Sequence, residues 1–186
     1  MAKKQDLRVI KTRRALESAM LRLLTGTPFA KITVNELCAQ AMVSRSAFYA
    51  HFQDKYDLAA HCLRRLSDQL FEETRRQGLK EHLRALLERI SRDSRVFVNL
   101  IIAEYDGELM ALIREGFLKE LEAHRSQLLS ALPQPQEISV LFHAAGLTSA
   151  IIHWIRTGLV YSVDEMAACL GALLPPVCEE TQKNEA

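Results

Sequence analysis

The sequence predicts an all-α protein, with a head of three helices followed by a helical body, about nine helices in all. Three observations lead there. Apolar residues recur at three- and four-residue intervals almost from end to end. No segment shows the two-residue alternation of a strand. Gly26, Pro28, Gly78, Pro133, Pro135 and Gly158 fall between the periodic stretches, where punctuation belongs. With 48% hydrophobic residues and seven glycines among 186, the chain can bury a sizeable core.

Ile10, Leu16, Ala19, Met20 and Leu23 trace one side of a helix over 8–25, with Arg13, Arg14, Glu17 and Arg22 on the other. Gly26-Thr27-Pro28 stops it, because Gly accepts left-handed angles and Pro cannot continue the ladder. Thr33 precedes Val34-Asn35-Glu36, a capping box that opens a short helix to about residue 41. Ser44 opens a second short helix, SRSAFYAHF, which Gln53-Asp54 closes. Asp54 then caps a long helix over 55–77, broken by Gly78. Helical periodicity resumes over 80–91, 94–104 and 107–132. After Pro133-Gln134-Pro135 a last pair covers 137–157 and 163–174, the latter capped by Ser162 and ended by Pro175-Pro176. The polar tail CEETQKNEA is expected to fray.

The net charge of +1 hides a polarity. Residues 1–65 carry twelve Lys or Arg against five Asp or Glu, and the remainder carries twelve against eighteen. A basic end on a neutral whole points to a polyanion met by that end alone. Cys38, Cys62, Cys169 and Cys178 are widely spaced, which suits reduced thiols in the cytoplasm rather than zinc or a disulfide framework. The start, MAKKQDLRVIKTRR, has no apolar leader, and apolar runs such as 144–152, broken by Ser and His, read as too short to span a bilayer. No membrane partner is expected. His61, His82, His124 and His153 have no Glu or Cys at metal spacing, so no metal is expected. There is no Gly-x-Gly-x-x-Gly, no P-loop and no coherent Ser-His-Asp order, so neither catalysis nor a cofactor is expected.

The informative stretch is TVNELCAQAMVSRSAFYAHFQDKYDL, residues 33–58. It reads as two short helices joined by a tight turn at Met42-Val43, a unit that suits DNA because one helix fits the major groove while the other braces it. The first helix is expected to bury Val34, Leu37 and Ala41. The second is expected to bury Ser46 or Ala47 side-on, with Tyr49 and Phe52 closing the rear. Ser44, Arg45, Ser46, Ala47 and Phe48 then lie on or near the leading turn. Arg45 can pair bidentately with guanine, Ser44 can bond a base or a phosphate, and Ala47 can touch a thymine methyl. Tyr49, Lys55 and Thr33 suit phosphate oxygens, which set register rather than sequence preference.

This segment resembles the DNA-binding head of the TetR family. Phe48-Tyr49-Ala50-His51-Phe52-Gln53-Asp54-Lys55, then Leu58, follows the family's Phe-Tyr-x-His-Phe-x-x-Lys pattern, and Phe29-x-x-Ile32-Thr33-Val34 matches upstream. The likeness covers about residues 8–60. It implies Thr33, Arg45, Tyr49, His51 and Lys55 as DNA contacts, double-stranded DNA with a palindromic operator as partner, and a repressor's role. The family commonly has Gly where this chain has Met42. A positive φ there would cost Met about 1 kcal/mol. Ala47 lacks the hydroxyl that many relatives carry.

The resemblance divides the chain into a helix-turn-helix DNA-binding domain, residues 1–54, and a ligand-binding and dimerisation domain, residues 55–186. The stretch HAAGLTSAIIHWIRTGLVYSVDEMAACLGALL is similar to the end of one TetR subgroup. Independently, Ala144, Ala145, Gly146, Ser149 and Ala150 give a helix with small side chains, which permits close approach of a two-fold mate in a four-helix bundle. Phe71, Phe97, Leu100, Ile101, Tyr105, Met110, Phe117, His143 and Trp154 could line a cavity for a small organic effector, with Tyr105, His143, His153 and Asn99 as polar handles. The long helix from Lys55 would be the lever between ligand and DNA. The rival reading is a helical adaptor acting through protein contacts, with little or no DNA binding.

Overall fold

A computed structural model describes residues 2–74, 78–101, 110, 111, 113–115, 118 and 133–174, except the side chains of 2–6, 67 and 71. Among the described residues there is no strand. In chain order the helices are α1 (Ala2–Leu24), a 3-10 turn (Phe29–Lys31), α2 (Val34–Ala41), α3 (Arg45–Tyr49), α4 (Lys55–Thr74), α5 (Leu79–Arg92), α6 (Ser94–Ile101), α7 (Gln136–Arg156) and α8 (Val163–Leu173). The expected stretch over 107–132 lies almost wholly outside the described residues.

Local chemistry sets the helix starts. Thr33 accepts a hydrogen bond from the Glu36 amide at 3.2 Å, and the Glu36 carboxylate accepts one from the Thr33 amide at 2.8 Å. Ser162 and Glu165 repeat that reciprocal cap on α8. In both, the bonds to the capping residue hold the Glu carboxyl below its usual range. Asp54 Oδ1 accepts from the amides of Tyr56 and Asp57 and so caps α4.

One apolar cluster runs through head and body. In the head, Leu16 and Met20 of α1 share this core with Leu37, Phe48 and Phe52. Behind them, α5, with Leu83, Leu87 and Ile90 in the core, packs on α8, and α6, with Leu100, packs on α7, with Trp154, in the same core. Helix α1 belongs to both regions: it packs on α2, α4 and α6, and its last carbonyl, that of Leu24, accepts from Asn99 Nδ2 at 2.8 Å. Asn99 therefore closes the end of α1.

The turn after α2 explains Met42. Its φ and ψ are 54° and 42°, the left-handed region, with the Met42 amide donating to Ala39 O and the Val43 amide to Cys38 O. That pair of bonds is a Schellman cap, which asks for a left-handed residue and is usually filled by Gly. Met42 keeps the geometry at a strain of about 1 kcal/mol, with its side chain 92% exposed and packed on little. Met42→Gly is therefore expected to raise the stability of the protein by about 0.5–1 kcal/mol, read as a higher urea midpoint at unchanged slope.

Helix α7 corrects one expectation. Gln136–Arg156 spans 21 residues, with a mean hydropathy of 1.6 in its most apolar window, long and apolar enough by length and composition to cross a membrane. Two of its polar residues bond within the helix: Thr148 Oγ1 donates to Ala144 O, and His143 Nδ1 lies 2.7 Å from Ser139 O. Its inner face, with Val140, Ala144, Leu147, Ile151, Trp154 and Ile155, is buried in the body. Its outer face leaves Ile138, Leu141 and Phe142 exposed.

Candidate nucleic-acid interface

The head presents α3 outward on two capped supports. Ser44 accepts from the Ala47 amide at 3.1 Å, and its Oγ lies 2.9 Å from Ser46 Oγ. Ser44, Arg45 and Ser46 are exposed on this leading turn, and Ala47 is half-buried. The Arg45 guanidinium sits 5.9 Å from the centre of the Tyr49 ring, which holds the side chain over the outer face of the helix. Tyr49 is half-exposed and His51 half-buried. Thr33, exposed at the start of α2, donates its hydroxyl proton to the Glu36 carboxylate at 2.7 Å.

Two expected contacts are corrected. Phe48 has no exposed surface: it packs inward, edge-on to Tyr49 and against Phe52. The rear of α3 is closed by Phe48 and Phe52, with Tyr49 outside. The two rings lie one residue apart, about 100° around the helix, so only one of them can point into the core.

Lys55 also turns away from solvent. Its Nζ donates to the carbonyls of Phe29, Ala30 and Ile32 at 3.0, 3.1 and 3.1 Å. The ammonium lies 4.7 Å from the Phe29 ring centre and 5.5 Å from that of Tyr56. An ammonium has three protons, and all three are directed at backbone carbonyls. Lys55 thus ties α4 to the end of the 3-10 turn and is not placed for a phosphate.

A further tie between head and lever is one that spacing alone does not show. Glu17 of α1 accepts from His61 Nε2 at 2.8 Å and from Arg65 Nη1 at 2.6 Å, both on α4. His61 and Arg65 stand four apart and so share a face, which was the only signal available. Beside them, burial pushes the Cys62 thiol up to about 12, so it is protonated and unreactive at neutral pH.

Six of the nine expected effector-pocket residues have described side chains, and five of them belong to the common core. Phe97 and Leu100 line a cavity of about 490 Å³ between α1, α4, α5 and α6. Ile101 and Met110 are core residues. Trp154 is buried at the end of α7, its indole N–H donating to Tyr161 O at 2.9 Å, and His143 is half-buried within α7. Phe71, Tyr105 and Phe117 lie outside the described side chains. Among the described residues no group of three His, Cys, Asp or Glu could hold a metal ion.

Of the expected pairing residues, Ala145, Gly146 and Ser149 are exposed on α7 and Ala150 is half-buried. Ala144 is buried against its own subunit, because it lies on the side of α7 that faces α6. It is removed from the candidate interface.

A capped two-helix unit with a basic, outward-facing leading turn, set on a body that is helical among the described residues, has the arrangement of a helix-turn-helix head. Residues 17–62 match the family model described as bacterial regulatory proteins, tetR family. No curated protein matches the chain. Solved structures with the same fold include a TetR transcriptional regulator from Streptococcus agalactiae, 21% identical over 95% of this chain and 100% of that one, with a TM-score of 0.68. The dihydroxyacetone kinase operon activator DhaS is 15% identical over 87% of this chain and 93% of its own, with a TM-score of 0.66. The fatty acid degradation regulator FadR from Bacillus halodurans is 15% identical over 86% and 96%, with a TM-score of 0.62. Residues 17–62 are thus similar to the tetR family's regulatory head, and the chain has the fold of these solved structures.

Proposed function

We propose that the chain is a ligand-responsive repressor that binds a palindromic operator as a homodimer in the cytoplasm, with residues 1–54 as the reading head and 55–186 as the regulatory body. The observation that carries the reading is the face of α3: Ser44, Arg45, Ser46 and Tyr49 turned outward, with Phe48 and Phe52 holding the helix from behind. Arg45 reads a base, most suitably guanine, while Thr33, Tyr49 and His51 lie where phosphates would run. Lys55 and Phe48 support the head from inside. No catalytic role is assigned. Repression follows from the family resemblance.

One head offers a five-residue helix, too little for operator affinity alone, so two half-sites about 34–36 Å apart are expected. Selection of bound duplexes from a random pool tests this directly. A palindrome whose binding weakens steeply with salt is expected, because phosphate contacts release counterions. Binding without a salt slope, or no selected sequence, would favour the adaptor reading. In the same assay Arg45→Ala is expected to cost about 1–3 kcal/mol and to relax preference at one base position per half-site. Unchanged selectivity would remove Arg45 from base reading.

A further inference from the structure

The cavity of about 490 Å³ lies where the head meets the body, with walls from α1, α4, α5 and α6. Its size falls within the range of about 300–1,000 Å³ usual for small-molecule sites. Met20, Leu63, Leu66, Phe97 and Leu100 give it an apolar lining. Five charged residues line it as well: Glu17, Arg22, Arg65, Arg89 and Asp93.

The pairing of those charges decides what the cavity can take. Glu17 is bonded to both His61 and Arg65, and Asp93 is bonded to Arg89. Both carboxylates are therefore engaged. Arg22, in the last turn of α1, has neither an ion pair nor a side-chain hydrogen bond among the described residues. The balance of three guanidiniums against two carboxylates leaves one positive group open to a ligand. A cation would meet that excess unfavourably, and a neutral molecule would leave Arg22 to water. A carboxylate can take two parallel N–H bonds from it.

We infer that this cavity is a binding site for an amphipathic carboxylate, with its apolar body against Leu63, Leu66, Phe97 and Leu100 and its anionic end on Arg22. The proposal rests on the ligand-responsive reading in so far as it names that effector's site and class. The site couples to DNA by position. It is walled by α1, which braces the recognition unit, and by α4, which Glu17, His61 and Arg65 join to α1. A ligand held there favours one setting of α1 against α4 and α6, and so one spacing of the two heads, which a ligand with no such preference would leave unchanged.

The test uses the full chain without DNA and three probes of equal length: decanoate, 1-decanol and decyltrimethylammonium. Calorimetric titration is expected to give one decanoate per chain, bound at least tenfold tighter than either other probe. Arg22→Gln, on an exposed residue, is expected to erase that preference while leaving decanol binding as it was. Leu66→Trp, which narrows the apolar wall, is expected to weaken the binding of all three probes. Equal affinity for the three probes, or a preference that survives Arg22→Gln, would overturn the site. If Leu66→Trp fails to fold, the Arg22→Gln comparison decides alone. Decanoate is then added to the operator complex. Tight binding with unaltered operator affinity would refute the ligand-responsive reading and leave the site standing.

Discussion

Lys55→Met is expected to destabilise the head by about 2–4 kcal/mol while keeping the aliphatic stem in place. The reason is the convergence of three carbonyls on one ammonium. Phe29 O, Ala30 O and Ile32 O all point at the same spot, and two of those bonds are partly buried. A hydrogen bond to a charged group is worth about 1.5–3 kcal/mol, and removing the donor leaves several acceptors facing one another with little water to replace it. The loss falls short of three such bonds, because the Ala30 carbonyl is exposed and can rehydrate. In a chain of this size each kcal/mol shifts the melting temperature by about 2–4 °C, so a fall of roughly 5–10 °C is expected. Hydrogen exchange should show the loss concentrated in the 3-10 turn and the first turn of α4. A phosphate-binding lysine would behave in the opposite way: weaker DNA binding at an unaltered melting temperature. That outcome would return Lys55 to the DNA surface.

This residue also shows where sequence reading stops. The caps of α2, α4 and α8 were legible because a cap is a local event: Thr33 and Glu36, or Ser162 and Glu165, stand three residues apart and need no tertiary knowledge. Helix class and most boundaries were legible for the same reason, since the 3.6-residue period is written along each segment. Lys55 was recognisable as part of a pattern, but its partners lie 23 to 26 residues upstream, and only the packed head reveals that they converge. Glu17 with His61 and Arg65, 44 and 48 residues apart, is of the same kind. Phe48 and Tyr49 were inverted because a five-residue helix is too short for periodicity to choose between adjacent rings. The small residues of α7 form one stripe in sequence, yet Ala144 faces the subunit's own core while Ala145, Gly146 and Ser149 face outward. A helix apolar on both sides gives no sequence signal of which side is which.

That two-sided helix sets the second expectation. Phe142→Asp is expected to weaken self-association by about a thousandfold and, with it, operator binding. Phe142 is 73% exposed on α7, and Ile138 and Leu141 are exposed beside it, above Ala145, Gly146 and Ser149. Leu173 of α8, 67% exposed, and Val160 and Tyr161 of the connecting turn add further exposed apolar surface at this end of the chain. A helix that is apolar all round calls for cover on both faces, and among the described residues α6 and the core supply it on one only. A second copy of α7 and α8, brought up by a two-fold axis, would cover the other as a four-helix bundle, with the small residues allowing close approach. Truncating or charging a central aromatic at such an interface typically costs 2 kcal/mol or more. The symmetry makes each substitution act twice, so about 4 kcal/mol is lost, roughly three factors of ten. Light scattering at micromolar protein should then report the 21.1 kDa chain instead of its dimer. An unaltered unfolding midpoint of the separated chain would show that the fold itself survives. Binding to the selected palindrome should fall towards that of a single half-site, because the second head no longer arrives with the first. A variant that stays dimeric would place the pairing surface elsewhere on the body.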